Sequence, residues 1–164
     1  MKTILLIRHA KSSWDNALLS DFERPLNERG SKDAPIMAKR LRENKIKIDR
    51  FVSSPAKRAK KTAQIFMEVY DQSKKNLLLI PSLYEASIKN FEWAIENFDD
   101  KDDHVALFSH NPGITDFVNT LTSEHVYNMP TCGVFSVSID SDKWIDFRAV
   151  KKELLFFDYP KKDL

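Results

Sequence analysis

The sequence predicts an α/β fold, a three-layer α/β/α sandwich in which helices cover both faces of a mostly parallel central sheet. Two observations lead to this prediction. Short apolar runs alternate with segments of helical periodicity along most of the chain, and the runs Ile4 to Ile7 and Val105 to Phe108 are apolar without interruption. Strands buried on both faces have such runs, and strands that alternate with helices are typical of a parallel sheet. With 164 residues, 42% of them hydrophobic, we expect residues 1–164 to form a single domain.

The first half of the chain predicts two strands and two helices, with a long loop between the first strand and the first helix. This loop is the polar stretch Lys11 to Gly30, and the helix after it is expected to take Ser31 as its N-cap. Phe51 to Ser53 is interpreted as the second strand. Ser54 and Pro55 suit the N-cap and the first position of the second helix.

The second half continues the alternation of strands and helices. Pro81 ends a third strand, and Asn111-Pro112 is expected to start the fourth helix. The last two strands are predicted from the alternation of apolar and polar residues and from a short apolar run. The expected elements are, in order, the strand Leu77 to Ile80, a helix with the stripe Ile88, Phe91, Ile95 and Phe98, the strand Val105 to Phe108, a helix with Ile114, Phe117, Val118 and Leu121, and the strands Val134 to Ile139 and Leu154 to Phe157.

Basic side chains follow three of these predicted strands. Arg8 and His9 come directly after the first strand, Arg58 lies in the first turn of the helix after the second, and His110 follows the fourth. In an open α/β sheet, ligands bind at the carboxyl ends of the strands. Two guanidinium groups and two imidazole rings at that edge could surround the oxygens of a phosphoryl group. The sequence therefore predicts a phosphate site built from side chains.

Composition narrows the classes of function. The 26 Lys and Arg residues nearly balance the 24 Asp and Glu residues, which argues against a nucleic-acid or anionic membrane partner. The first apolar run is too short for a signal peptide or a membrane span, so we expect a cytoplasmic protein. Cys132 is the single cysteine, and it cannot form an internal disulfide. Three glycines exclude a glycine-rich phosphate loop, and no motif implies a metal or another cofactor.

Three motifs carry these basic residues along the chain. They are Leu6-Ile7-Arg8-His9-Ala10-Lys11, Ser53-Ser54-Pro55-Ala56-Lys57-Arg58-Ala59 and Ser109-His110-Asn111-Pro112-Gly113. In this order they resemble the motifs of the histidine phosphatase superfamily, over nearly the whole chain, which implies a phosphoglycerate mutase-like fold. Within that superfamily the chain looks most like the small SixA-type phosphohistidine phosphatases, because of its short length, the run Ala10 to Trp14, Arg24-Pro25-Leu26 with Arg29-Gly30, and His110-Asn111-Pro112-Gly113.

The resemblance implies roles for the four basic residues. His9 is the implied nucleophile, which accepts the phosphoryl group and is freed by water. Arg8, Arg58 and His110 would bind the phosphoryl group and stabilise its charge in the transition state. His9 must be unprotonated to attack, and the neighbouring arginines disfavour its cationic form.

The sequence does not identify the general acid of the site. Many relatives have a carboxylate either before the helix that follows the third strand, where this chain has Glu85, or directly after the second histidine, where it has Asn111. Glu85 could equally be a structural partner of an arginine. Trp14 and Asn111 are candidates for the rim of the pocket, although ordinary packing explains Trp14 as well. In the same loop as Trp14, an internal salt bridge is the simplest role for Asp21 and Arg24.

Two features indicate which substrate to expect. The general acid is not identified, and the chain is too short for the insertions that cover the pocket in larger members of the superfamily. An alkoxide needs a proton to leave, whereas a protonated imidazole is a far better leaving group. A weak acid and an open pocket therefore favour a phosphohistidine carried by a protein. The alternatives are a phosphomonoesterase acting on a small phosphorylated metabolite and a catalytically silent phosphate-binding module.

Overall fold

The structure, a computed structural model, describes residues 1–162 and contains six strands and four α-helices within that range. The helices are α1 (Glu28–Glu43), α2 (Lys57–Val69), α3 (Ile88–Glu96) and α4 (Gly113–Val118). The strands are β1 (Lys2–Arg8), β2 (Arg50–Ser53), β3 (Leu78–Leu79), β4 (His104–Ser109), β5 (Val134–Ile139) and β6 (Lys152–Asp158).

The six strands form one sheet in the order β3-β2-β4-β1-β5-β6. The four strands from β3 to β1 are parallel to one another, and β5 runs antiparallel to both β1 and β6. The prediction of a mostly parallel sheet is thus confirmed. The carboxyl ends of β2, β4 and β1 are neighbours at one edge, where the residues after each strand meet.

Helices cover both faces of the sheet, as the uninterrupted apolar strands predicted. Along β1, Leu5 and Ile7 pack in the core beneath α1 and α2, while Ile4 and Leu6 pack in the core beneath α3 and α4. Residues of β4 alternate between the same two cores. Both central strands are therefore held from two sides, which makes their carboxyl ends a rigid base for a site.

The first helix begins earlier than the sequence indicated. Its N-cap is Asn27, whose side chain accepts a hydrogen bond from the Gly30 amide at 2.8 Å, and Ser31 lies inside the helix. Gly30 packs directly against the loop after β1, because a Cβ atom there would lie 2.1 Å from the Lys11 carbonyl oxygen. We expected the loop to run to Gly30 and Ser31 to cap the helix. This was wrong, because Asn27 is the cap and Gly30 already lies in the first turn of α1.

The second helix begins later than predicted. Ala56 occupies the N-cap position and makes no side-chain capping hydrogen bond. Ser54 and Pro55 precede the helix in a turn, in which the Ser54 hydroxyl oxygen accepts a hydrogen bond from the Ala56 amide at 3.2 Å. The assignment of Ser54 as cap and Pro55 as first helical residue was therefore wrong.

Three other boundaries also differ from the sequence-based expectation. The third strand is limited to Leu78–Leu79, because it pairs with β2 at the edge of the sheet over two residues only. α3 ends at Glu96, so Phe98 packs on the core from beyond the helix. α4 starts at Gly113 and not at Pro112. No helix among residues 1–162 is long and apolar enough to cross a membrane.

Candidate active site

His9 lies at the carboxyl end of β1 with only 5% of its surface exposed. Its Nδ1 is 2.7 Å from the Ala10 carbonyl oxygen. Because a carbonyl can only accept, the hydrogen of the neutral ring is on Nδ1, and Nε2 carries the lone pair. Burial above all, and then the positive charges around the ring, lower the pKa of His9 well below its ordinary value. The ring is therefore neutral and presents Nε2 as a nucleophile.

Arg58 reaches His9 from the first turn of α2. Its Nε donates to Nε2 of His9 at 3.3 Å, and only 7% of its side-chain surface is exposed. The two terminal nitrogens donate to Asp21, one to the carbonyl oxygen at 2.6 Å and the other to the carboxylate at 3.0 Å. The arginine is thus held in a fixed orientation beside the imidazole.

Asp21 is a member of the site that the sequence reading did not identify. The expected ion pair with Arg24 is present at 2.8 Å, but the same carboxylate also binds Arg58 and accepts a hydrogen bond from the Tyr84 hydroxyl at 2.6 Å. Partial burial of Asp21 opposes ionisation, yet the hydrogen bonds from Tyr84 and Arg58 outweigh it and lower its pKa to about 2. Only its position in the long loop after β1 could have suggested this role.

Arg8 extends from the last position of β1. One terminal nitrogen donates to the Met129 carbonyl oxygen at 2.8 Å. Partial burial, followed by repulsion from Arg58, lowers the pKa of its guanidinium. The segment after Met129 adds a second contact with this strand end, because the Cys132 amide lies 3.0 Å from the carbonyl oxygens of both Arg8 and His9.

His110 follows β4, the strand next to β1. Its ring centroid is 5.1 Å from that of His9, and its Nε2 is 2.7 Å from the Ser54 hydroxyl oxygen at the end of β2. Burial, followed by the charge of Arg58, lowers its pKa to about 3, so this second imidazole is also neutral near pH 7. Ser54 is a further residue that the sequence analysis had assigned only to a helix cap.

Two adjoining cavities flank this group of side chains. They share Asp21, Arg58 and Asn111. The smaller cavity, of about 230 Å³, is lined mainly by cationic and polar groups: Arg8, His9, Lys11, Ser12, Trp14, Asp21, Arg24, Arg58, Asn111 and Thr131. The larger one, of about 390 Å³, also has His110 and the acidic residues Glu85 and Asp116 on its wall. The arrangement can hold an anion where the two cavities adjoin, between His9 and His110, and the group attached to the anion in the larger cavity.

Glu85 lines the larger cavity and does not line the cavity of His9. It is exposed and has a backbone φ of 54°, in the left-handed region that non-glycine residues rarely adopt. None of the hydrogen bonds or ion pairs of residues 1–162 involves its carboxylate, so the structure gives no support to its alternative role as a partner of an arginine.

Asn111 and Trp14 both line the cavity of His9, in different ways. The Asn111 amide nitrogen donates to the Met129 carbonyl oxygen at 3.1 Å, which links it to the same segment that Arg8 contacts. Trp14 is 74% exposed, and the Arg24 guanidinium stacks over its ring at 3.3 Å from the ring centroid. Among residues 1–162, no group of three or more His, Cys, Asp or Glu side chains is arranged to hold a metal ion.

Comparison with known proteins adds a family match to this geometry. The model of the histidine phosphatase superfamily, branch 1, matches residues 4–126. Among curated proteins, a 2,3-bisphosphoglycerate-dependent phosphoglycerate mutase of Bartonella henselae is 37% identical over 86 residues, which are 51% of this chain and 42% of the mutase. The match thus spans less than half of the mutase. An uncharacterised chloroplast protein of Arabidopsis thaliana is 26% identical over 87% of this chain and 69% of its own length.

Solved structures show the same fold. A SixA from Agrobacterium tumefaciens, described as a phosphohistidine phosphatase, superposes with a TM-score of 0.82 at 24% identity, over 97% of this chain and 98% of the other. The protein histidine phosphatase SixA in complex with tungstate has a TM-score of 0.80 at 23% identity, over 96% and 97% of the two chains. A phosphoserine phosphatase of Entamoeba histolytica is more distant, with a TM-score of 0.66 at 15% identity.

Proposed function

Since this chain belongs to the histidine phosphatase superfamily, we propose that it is a phosphatase that works through a phosphohistidine on His9. The observation that carries the proposal is the state of His9. Its Nδ1 donates to the Ala10 carbonyl, so the lone pair is on Nε2, which in the resting site accepts a long hydrogen bond of 3.3 Å from Nε of Arg58.

The reaction takes place in two displacements at phosphorus. In the first, the lone pair of His9 Nε2 forms a bond to phosphorus, and the leaving group departs with the electron pair of its own bond. In the second, water attacks the phosphorus, the bond to Nε2 breaks, and the imidazole returns to its neutral form while inorganic phosphate is released. Arg8, Arg58 and His110 bind the phosphoryl oxygens as charge redistributes.

The favoured substrate is a phosphohistidine in a protein. Its leaving nitrogen is part of an imidazole ring, which solvent can protonate near neutral pH before the P–N bond breaks, whereas the weakly basic bridging oxygen of a phosphate ester must leave as an alkoxide unless an acid donates a proton. The acid candidate Glu85 is exposed on the wall of the neighbouring cavity. A reaction that needs little help from an acid is therefore the best match to this site, and the partner is a phosphorylated protein.

A phosphomonoesterase acting on a small metabolite is the second candidate. It is favoured by the cavity of about 390 Å³ beside His110, which has the acidic side chains Glu85 and Asp116 on its wall and could accommodate a small leaving group. Replacing Glu85 by Gln separates the two candidates. We expect the hydrolysis of phosphohistidine to change little, whereas an esterase that uses Glu85 as its acid would lose about a hundredfold in kcat.

The decisive experiment compares the wild-type protein with His9→Ala on a phosphohistidine-bearing protein and on an aryl phosphate. His104→Ala is the matched control, because this histidine begins β4 at the opposite edge of the sheet. We expect wild type and the control to dephosphorylate the protein substrate faster than the aryl ester, and His9→Ala to be inactive on both.

A phosphate label on His9 that is stable to base and labile to acid would identify the intermediate. Full activity of His9→Ala would refute the mechanism, and an inactive wild-type protein would favour the phosphate-binding module.

A further inference from the structure

Ser54 occupies a position that no part of the proposed reaction has used. It follows β2, is 0% exposed, and has its hydroxyl oxygen 2.7 Å from Nε2 of His110. On the other side of the same ring, Nδ1 is buried and has no hydrogen-bond partner within residues 1–162. Because a neutral imidazole carries one hydrogen, the direction of the contact with Ser54 decides whether Nδ1 is a donor or an acceptor.

Counting donors and acceptors gives the direction. The Ser54 oxygen already accepts a hydrogen bond from the Ala56 amide at 3.2 Å. If the hydroxyl donates to Nε2 of His110, then it both donates and accepts, and of these two side chains only the N–H at Nδ1 of His110 is left without a partner. If Nε2 donates instead, both the hydroxyl hydrogen and the lone pair of Nδ1 remain unpaired. Buried polar groups that lack a partner are costly, so the first arrangement is the stable one.

The surroundings of His110 make this choice of tautomer matter. The ring is neutral near pH 7, so it cannot donate from both nitrogens as a cationic histidine would. A phosphoryl group carries only acceptor oxygens and therefore needs a donor from this ring. The His110 ring lies beside that of His9, with 5.1 Å between the centroids, which puts it within reach of a group being transferred to His9.

We propose that Ser54 is a positioning residue, which donates its hydroxyl hydrogen to Nε2 of His110 and so holds the ring with its hydrogen on Nδ1, from where it donates to the transferring phosphoryl group. The inference rests on the proposed phosphatase function for its consequence in catalysis. The tautomer itself is a property of the resting protein and can be measured without turnover. Ser54 acts through His110 and does not touch the phosphoryl group.

The first test is nitrogen NMR of the full chain with ¹⁵N-labelled histidine. The chain has four histidines, and the signals of His110 are assigned by their loss in His110→Gln. We expect Nδ1 of His110 to be protonated and Nε2 to be unprotonated in the wild-type protein. In Ser54→Ala, the signals should shift toward a mixture of the two tautomers. A wild-type spectrum with the hydrogen on Nε2 would overturn the proposal, whatever the activity of the protein.

The second test is kinetic and uses a matched pair of variants. Ser53→Ala removes an equally buried hydroxyl, which donates to the Ser54 carbonyl at 2.8 Å and does not contact His110. Ser54→Ala should weaken the hydrogen bond that Nδ1 of His110 donates to the charged phosphoryl group. We therefore expect kcat to fall by roughly tenfold or more, with little change in KM. Ser53→Ala should retain most of the activity, and Ser54→Thr, which restores the hydroxyl, should recover part of the rate together with the wild-type tautomer.

The outcomes separate this inference from the proposed function. Equal kcat values for Ser54→Ala and Ser53→Ala, with both proteins folded by circular dichroism, would overturn the role of Ser54. Loss of kcat in Ser54→Ala without a change in the His110 signals would also overturn it, because the effect would then not act through the tautomer. A wild-type protein with the expected tautomer but without phosphatase activity would refute the proposed function and leave the Ser54 contact supported.

Discussion

At the scale of single residues, Asp21 connects more of the site than any residue that the motifs contain. Its carboxylate binds two arginines and a tyrosine hydroxyl, and its carbonyl oxygen accepts from Arg58 as well. The guanidinium of Arg58 therefore has Asp21 on its two terminal nitrogens and His9 on Nε. The negative charge of Asp21 offsets part of the positive charge of this cluster.

Asp21→Asn should disturb both Tyr84 and Arg58. The hydrogen bond to Asp21 is the main cause that raises the pKa of Tyr84 to about 12, so this pKa should fall toward 10 when the carboxylate is removed. Because the carboxylate is half exposed, its ion pair with Arg58 is screened, and we expect a fall in kcat/KM of about fivefold.

Ultraviolet titration of the tyrosines, with Tyr84→Phe to assign the transition, measures the change in the pKa of Tyr84. Asp15→Asn, an exposed change in the same loop, is the control, and an unchanged titration would contradict the model of Asp21 as the anchor.

The lowered pKa of His9 predicts the acid limb of the pH profile. Since the pKa of His9 in the unliganded site lies well below its usual value of 6.5, kcat/KM for an aryl phosphate, corrected for the ionisation of the substrate, should not fall through that pH as it would for an ordinary histidine nucleophile. Arg58→Gln removes a positive charge that contributes to the lowering, so its acid limb should move to higher pH. A wild-type kcat/KM that drops tenfold per pH unit from pH 6.5 downward after the same correction would show that His9 titrates normally.

At the scale of elements, the start of α1 fixes the loop that carries Asp21. Asn27 caps the helix through its side chain, and its own amide donates to the Lys11 carbonyl at 2.9 Å. Gly30 then allows the first turn of α1 to lie against the same Lys11 backbone. The two ends of the loop from Lys11 to Asn27 are thereby joined, and between them Ser12, Trp14, Asp21 and Arg24 line the cavity of His9.

Asn27→Ala and Ser31→Ala should differ in stability. Loss of the capping side chain at Asn27 should lower the free energy of unfolding by about 1 kcal/mol. Ser31 is exposed within α1, and its replacement should change stability by less than about 0.5 kcal/mol. Urea unfolding followed by circular dichroism measures both values. A larger loss for Ser31→Ala than for Asn27→Ala would reverse the assignment of the cap.

At the scale of the whole molecule, the parallel order of β2, β4 and β1 brings residues far apart in sequence to one edge. His9, Ser54 and His110 each follow one of these strands, and the contacts between them depend on all three strands ending together. Helices on both faces bury the strands beneath them. Two neutral imidazoles are consequently held in a largely dehydrated place, and this couples folding to pH.

Acid should destabilise the fold before most carboxylates titrate. His110 has a pKa of 6.5 when unfolded and about 3 when folded, so between these values the unfolded chain binds more protons and stability falls as pH decreases. For this buried residue alone, the loss from pH 7 to pH 5 is about 2 kcal/mol, and His9 contributes in the same direction. Urea midpoints measured at several pH values should show this decline. His110→Gln should have a shallower decline than His104→Gln, and equal slopes would contradict the lowered pKa.

Local periodicity is enough to predict the alternation of strands and helices and the layered α/β fold. The grouping of Arg8, His9, Arg58 and His110 follows from the rule that parallel strands end at a common edge. By contrast, the anchoring of Arg58 by Asp21 and the contact of Ser54 with His110 are visible only in the folded chain. These contacts depend on the path of a loop and on the orientation of individual side chains, which are set by packing between segments distant in sequence and leave no periodic signal in the chain.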